Sequence, residues 1–228
     1  MTVGVRRTAL LLGVSLAAWA VTVVRMRGMD MGPGTDLGGL GWFLGAWVTM
    51  MAAMMLPSTA PVVLLFADIA RRRARRVSPL VFVAAYLGVW TAYGLAAYAL
   101  ARGVRSLGVG VSPALTGAAL AAAGAYELAP LKSTCLRHCR GPVQLIVGGW
   151  RDGVGGALRM GAEHGAYCVG CCWGLMIVLF ALGVMSVFWM AVVAAAIAAQ
   201  KLLPFGGRLV RPLALALVAG GVVYALVG

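Results

Sequence analysis

An all-α, polytopic bundle of transmembrane helices with about six to seven spans is the fold class this sequence predicts, on three observations. The chain of 228 residues is 62% hydrophobic and 11% charged. An ordinary soluble domain is about 45–50% apolar and about 25% charged. The apolar residues come in continuous runs rather than in the alternation of a membrane β-barrel. The basic residues, which give a formal net charge of +13, fall between those runs. Together these exclude a soluble globular enzyme, a disordered tail and a nucleic-acid binder. The partner they imply is the lipid bilayer. The length suits a single integral membrane domain over residues 1–228.

Taken in chain order, seven runs approach the roughly 20 apolar residues of a span. They are Thr8–Val24, Leu40–Phe66, Pro79–Ala101, Pro113–Leu131, Gly165–Val184, Val187–Leu203 and Pro212–Val227. The first is read as a span rather than a cleaved leader. Ala18-Trp19-Ala20 has the form of a cleavage site, but the run continues through Val21–Val24. The fifth and sixth are separated by almost nothing, so they are read either as two spans or as one hairpin bent near Gly183 and Ser186. Gln144–His164 holds six glycines with Arg151, Asp152, Arg159 and Glu163. It is expected to be a re-entrant or interfacial segment.

Lys and Arg in the connections set the orientation. With the N-terminus cytoplasmic, fifteen basic residues fall inside: Arg6 and Arg7, the Arg71–Arg76 run, Lys132 to Arg159, and Lys201, Arg208 and Arg211. Only Arg25, Arg27, Arg102 and Arg105 fall outside. This places the chain in a bacterial inner membrane with the Cys/His-rich segment 132–172 on the cytoplasmic side. The Arg run is read as a stop-transfer anchor, with anionic lipid as its functional alternative.

The chemistry is concentrated in soft ligands. All five Cys and both His lie between Cys135 and Cys172. On a helix, Cys135, His138 and Cys139 share a face at i, i+3 and i+4. His164, Cys168, Cys171 and Cys172 occupy an arc of about 100°. Two such faces on adjacent segments converge on one metal ion. Packing is the bland reading of a buried Cys, but seven such residues at helical spacing point to metal. Cys168-x-x-Cys171 also has dithiol spacing, which keeps thiol–disulfide exchange open as an enzymatic alternative. A non-catalytic membrane scaffold is the third reading.

Methionines give a second signal. Met50 pairs with Met54, and Met51 with Met55, at i, i+4 in the second run, followed by Pro57 and Pro61. Thioethers favour Cu(I) over hard cations. Met29 and Met31 add two more on the expected outer loop. The prolines predict a kink whose freed carbonyls need partners or a cavity. Glu127, an acid in the last turns of the fourth run, is expected to pair with Lys132 or to face the Cys/His cluster. Walker A, dinucleotide-binding and His-Glu-x-x-His motifs are absent. The two His lie on separate segments, which argues against haem.

Tyr126-Glu127-Leu128-Ala129-Pro130-Leu131-Lys132, followed by Cys135, Cys139-Arg140 and Pro142, resembles a bacterial membrane family. So does His164-Gly165-Ala166-Tyr167-Cys168-Val169-Gly170-Cys171-Cys172-Trp173 with Leu175-Met176. It is domain-of-unknown-function family 2182, described as predicted metal-binding integral membrane proteins. The resemblance runs from the Met-rich span to Pro204. It departs at two positions, where this chain has Glu127 and Gln200 and the family often has Gln and Glu. The resemblance implies a metal. The reading is therefore a membrane protein that binds a soft transition metal, copper as Cu(I) first and Zn(II) second. Its role would be metal transport, delivery or homeostasis with a metal-donor or metal-acceptor protein as partner, rather than catalysis.

Overall fold

The computed structural model describes residues 2–27, 37–72, 79–108, 110, 112–141 and 150–227. Among them it is 89% helical, with no strands. Eight helices follow in order: α1 Thr2–Met26, α2 Leu40–Arg72, α3 Pro79–Ser106, α4 Pro113–Glu127, α5 Pro130–Arg140, α6 Gly153–Leu182, α7 Val187–Leu202 and α8 Val210–Val227. A 3-10 turn, Gly206–Leu209, leads into α8. Met29, Asp30 and Met31, the Arg73–Arg76 part of the basic run, and residues 144–149 lie outside the described residues.

Five helices are long and apolar enough to cross a membrane, and α4 with α5, bent by 64°, passes the same test only as a pair, as a broken span or a re-entrant loop. The sixth run is α7, only 16 residues long. Helix α2 runs antiparallel to α1 and to α3, whereas α3 and α6 run parallel. Arg7 on α1 reaches Asp68 near the end of α2 at 2.9 Å. Trp47 on α2 donates to the carbonyl of Trp90 on α3 at 2.9 Å. That bond fits because Gly94 leaves the indole its space.

One expectation is corrected. Residues 153–164 are not a separate re-entrant piece but the first turns of α6, continuous with the apolar part that follows. Gly161 in this stretch and Gly165 just beyond it are close-approach points. A Cβ at Gly161 would meet the Phe82 carbonyl, and one at Gly165 would lie 3.0 Å from Val89 and 3.2 Å from the Tyr86 carbonyl, all on α3. Small residues let helices approach where no apolar driving force separates helix from lipid. The charged side chains of this stretch stay outside: Arg159 and Glu163 are exposed and paired at 2.9 Å. Gly183, at φ +118, closes α6 in a conformation that side chains rarely adopt.

The prolines of α2 do not end the helix. The helix runs unbroken from Leu40 to Arg72 through Pro57 and Pro61. The hydroxyls of Ser58 and Thr59 donate to the Met55 carbonyl at 2.9 and 3.1 Å, and Thr59 also approaches that of Leu56. These hydroxyls bond within their own helix rather than to a neighbour, as Ser and Thr in a helix commonly do.

Helices α4 and α8 pack antiparallel along a glycine seam. A Cβ on Gly221 would lie 2.5 Å from the Gly117 carbonyl and 2.7 Å from the Ala121 nitrogen. Replacing Gly221 by Leu should force the two backbones apart and cost about 1–3 kcal/mol, the usual range for overpacking. A lowered melting temperature of the detergent-solubilised protein checks this, and Gly220→Leu, where nothing lies within 4 Å, should be close to neutral.

Candidate metal centre

Two short helices end against the middle of a long one, and the sulfur cluster forms there. Helix α4 stops at Glu127 because Pro130 follows. The residue before a proline is biased to extended backbone, and Ala129 adopts φ −65, ψ 144. Pro130 then occupies the first turn of α5, where its missing N–H is harmless. The result is the 64° turn that swings α5 across the face of α6. Helix α7 stops in the same way before Pro204, with Leu203 extended at φ −77, ψ 141.

On α6 the thiols of Cys168, Cys171 and Cys172 point inward, and all three are buried. From α5, Cys139 meets them. The sulfurs of Cys139, Cys168 and Cys171 lie within 4.8 Å of one another. Cys171 Sγ is 3.6 Å from Cys139 Sγ and 3.2 Å from Cys172 Sγ. All five cysteines are free thiols. A trigonal ion with metal–sulfur bonds of about 2.3 Å needs sulfurs about 4 Å apart, so the spacing suits a metal. Cys135 is buried one turn earlier on α5, against Gly170. It does not enter the close group.

Neither His enters that group. His138 stacks flat on Tyr167, with centroids 4.2 Å apart, and its Nδ1 lies 2.9 Å from the Thr134 carbonyl. His164 sits one turn before Cys168, buried between the rings of Phe82 and Tyr86. Its Nε2 is one of three buried polar side-chain atoms without a hydrogen-bond partner among the described residues. Such orphans are uncommon in a well-packed interior.

Two polar groups complete the cluster, and the spacing of neither along the chain ties it to the thiols. Lys201, at the end of α7, is buried and donates to Cys168 Sγ at 2.9 Å. The Tyr86 hydroxyl from α3 lies 3.0 Å from the same sulfur. Lys201 counted in the sequence as a cytoplasmic loop charge. The signal that marks it is its position at the end of an apolar run, where a cation needs a named partner.

Gln200, the residue before Lys201, faces the other way. Its Nε2 donates to Glu127 Oε2 at 3.0 Å, and its Oε1 accepts from Lys132 at 3.0 Å. Lys132 also pairs with Glu127 Oε1. Glu127 thus bonds to Lys132, as expected, and not to a thiol. The two positions at which the chain departs from the family it resembles touch each other, and carboxylate and amide each hold the same ammonium. This ring ties α4, α5 and α7 together beside the sulfurs. The four methionines Met50, Met51, Met54 and Met55 are all buried in the core that also contains the cysteines.

Residues 44–224 match the model of a family described as PpoB2, copper chaperone. The chain belongs to this family. The match spans α2 to α8, so it contains the methionines, the thiol cluster and the Glu127–Lys132–Gln200 ring. No curated protein and no solved structure matches the chain. For this copper-chaperone family member, membership and a buried Cys cluster together support a copper-related function.

The ring gives a direct test. Glu127→Gln leaves the Lys132 ammonium buried without a counter-charge, a loss of about 3–5 kcal/mol for a broken buried pair. Adding Gln200→Glu restores a carboxylate on the same ammonium. The single variant should unfold at markedly lower temperature in detergent, and the swapped double variant should recover most of the difference.

Proposed function

We propose that this protein is a membrane-embedded copper chaperone that holds Cu(I) on Cys139, Cys168 and Cys171 and passes it to an acceptor protein. Cys172 is within sulfur contact of Cys171 and supplies a replacement ligand during transfer. The observation that carries the reading is the convergence of three soft sulfurs from two helices in a chain of a copper-chaperone family. Thiolates select soft ions such as Cu(I), with Zn(II) second.

The charge of the site fits this cargo. Three thiolates around a monovalent ion leave a double negative charge in an apolar interior, where uncompensated charge is costly. The Lys201 ammonium at Cys168 offsets part of it. Burial disfavours the exchange alternative. A disulfide exchanger presents an accessible attacking sulfur to another protein, whereas all five cysteines here are buried. An ion, being small, passes between ligands without protein-sized access.

The distribution of basic residues supports a cytoplasmic N-terminus and a bacterial inner-membrane location. On that orientation the α6 thiols lie about 7–14 Å along the helix beyond the exposed Glu163. They are then just inside the apolar zone on the cytoplasmic side, within reach of a cytoplasmic acceptor.

Purified full-length protein should bind one Cu(I) per chain under anaerobic conditions. Cys168→Ser with Cys171→Ser should remove nearly all of it, because a hydroxyl is a hard and poor substitute. His138→Gln should keep full stoichiometry, and Lys201→Met should weaken binding more than Lys201→Arg. Copper content unchanged in the double serine variant would overturn the assignment.

The buried thioethers are assigned a transfer role, with Met50 and Met54 ahead of Met51 and Met55. Exchanging all four for Leu should cost under about 1.5 kcal/mol each, as near-isosteric swaps do. Copper bound at the thiols should be retained, while its transfer to an external chelator, followed by stopped-flow absorbance, should slow. Transfer at the unaltered rate would leave these side chains as packing alone.

A further inference from the structure

Beside the metal centre, on the far side of α5, lies a cavity of about 430 Å³ lined by Lys132, Arg137, Arg140 and Arg211 with the α8 approach at Gly207 and Val210. A second cavity of about 400 Å³ adjoins it through Arg140 and Gly207 and adds Arg208, Pro204 and Phe205. Four guanidinium groups and one ammonium therefore line one continuous recess. The only acid in it is Glu127, whose two oxygens are already taken by Lys132 and Gln200.

The arginines have different duties. Arg140 donates to the Leu203 and Pro204 carbonyls at 2.7 and 3.0 Å, clamping the end of α5 over the turn between α7 and α8. Arg137 contacts Thr134 Oγ1 at 3.3 Å. The guanidinium groups of Arg208 and Arg211 have no hydrogen-bond or ion-pair partner among the described residues. Guanidinium groups so gathered repel one another unless an anion sits among them, and their fork geometry matches phosphate oxygens.

Apolar surface accompanies the charge: Leu128 lines the first cavity and Phe205 the second, each about half exposed, and Leu131 on α5 and Leu202 on α7, close to them in sequence, are about half exposed as well. A soluble anion has no use for such surface, whereas acyl chains cover it. Basic recesses between membrane helices suit anionic lipid head groups. We propose that this recess is a binding site for the head-group phosphate of an anionic phospholipid, with its acyl chains along the exposed leucines of α5 and α7. The site rests on the reading of the helices as membrane spans and is independent of copper.

The test uses the full chain purified in neutral detergent and probed by native mass spectrometry with phosphatidylglycerol or phosphatidylcholine. Phosphatidylglycerol should be retained preferentially. Arg208→Gln with Arg211→Gln should weaken that retention about 25-fold, from about fivefold per arginine. Arg71→Gln with Arg72→Gln, on the exposed end of α2, should leave it unchanged. Equal retention of the two lipids, an equal loss in the α2 variant, or no loss in the Arg208/Arg211 variant would overturn the site. So would thermal stabilisation by inorganic phosphate as large as that by phosphatidylglycerol, which would mark a free-phosphate site, or displacement of the lipid by an acidic peptide with no lipid preference remaining.

Discussion

A buried ammonium group must face negative charge, and two such groups organise this bundle. Lys132 is fully enclosed and meets Glu127 and Gln200. Lys201 is enclosed one residue after Gln200 and meets the sulfur of Cys168. Each requirement can be satisfied only when helices from distant parts of the sequence come together. The first needs α4, α5 and α7, and the second needs α6 and α7. The geometry of the thiol cluster is therefore a by-product of charge satisfaction in an apolar interior, where an unpaired charge costs several kcal/mol. This explains how four sulfurs can be held close without a disulfide to fix them.

Much of the bundle was legible because membrane spans are written in local composition. The bilayer demands a run of apolar residues whatever its neighbours are, so six of the seven expected runs coincide with helices long and apolar enough to cross, alone or as the bent pair, and the remaining one with the short α7. The Gln144–His164 stretch misled because glycine and charge are local signs of a break. In the described part of it, Gly161 serves instead to admit α3, a neighbour no local pattern reveals. The bend at Pro130 was written plainly in the sequence, yet its direction depends on tertiary partners.

The cluster was legible in part for the same reason. Helical spacing correctly grouped Cys168, Cys171 and Cys172 on the inner side of α6. On α5 the same rule grouped Cys135, His138 and Cys139, but His138 and Cys139 differ by about 100° around the axis. Turning Cys139 toward α6 leaves His138 at the edge, where it stacks on Tyr167. Lys201 and Tyr86 lie 33 and 82 residues from Cys168. Nothing in the spacing of either residue announces such a partner.

The 64° break before α5 gives the sulfur set a mechanical character. Cys168 and Cys171 ride on one long rod, while Cys139 rides near the tip of a short arm that pivots at Pro130. The arm from pivot to Cys139 is about 13 Å long. A swing of about 10° at that joint displaces its sulfur by about 2.3 Å, comparable to a metal–sulfur bond. That arm is pinned at both ends, by Lys132 to Glu127 and Gln200 and by Arg140 to the Leu203 and Pro204 carbonyls, so the spacing of the sulfurs is held by the contacts that fix one angle.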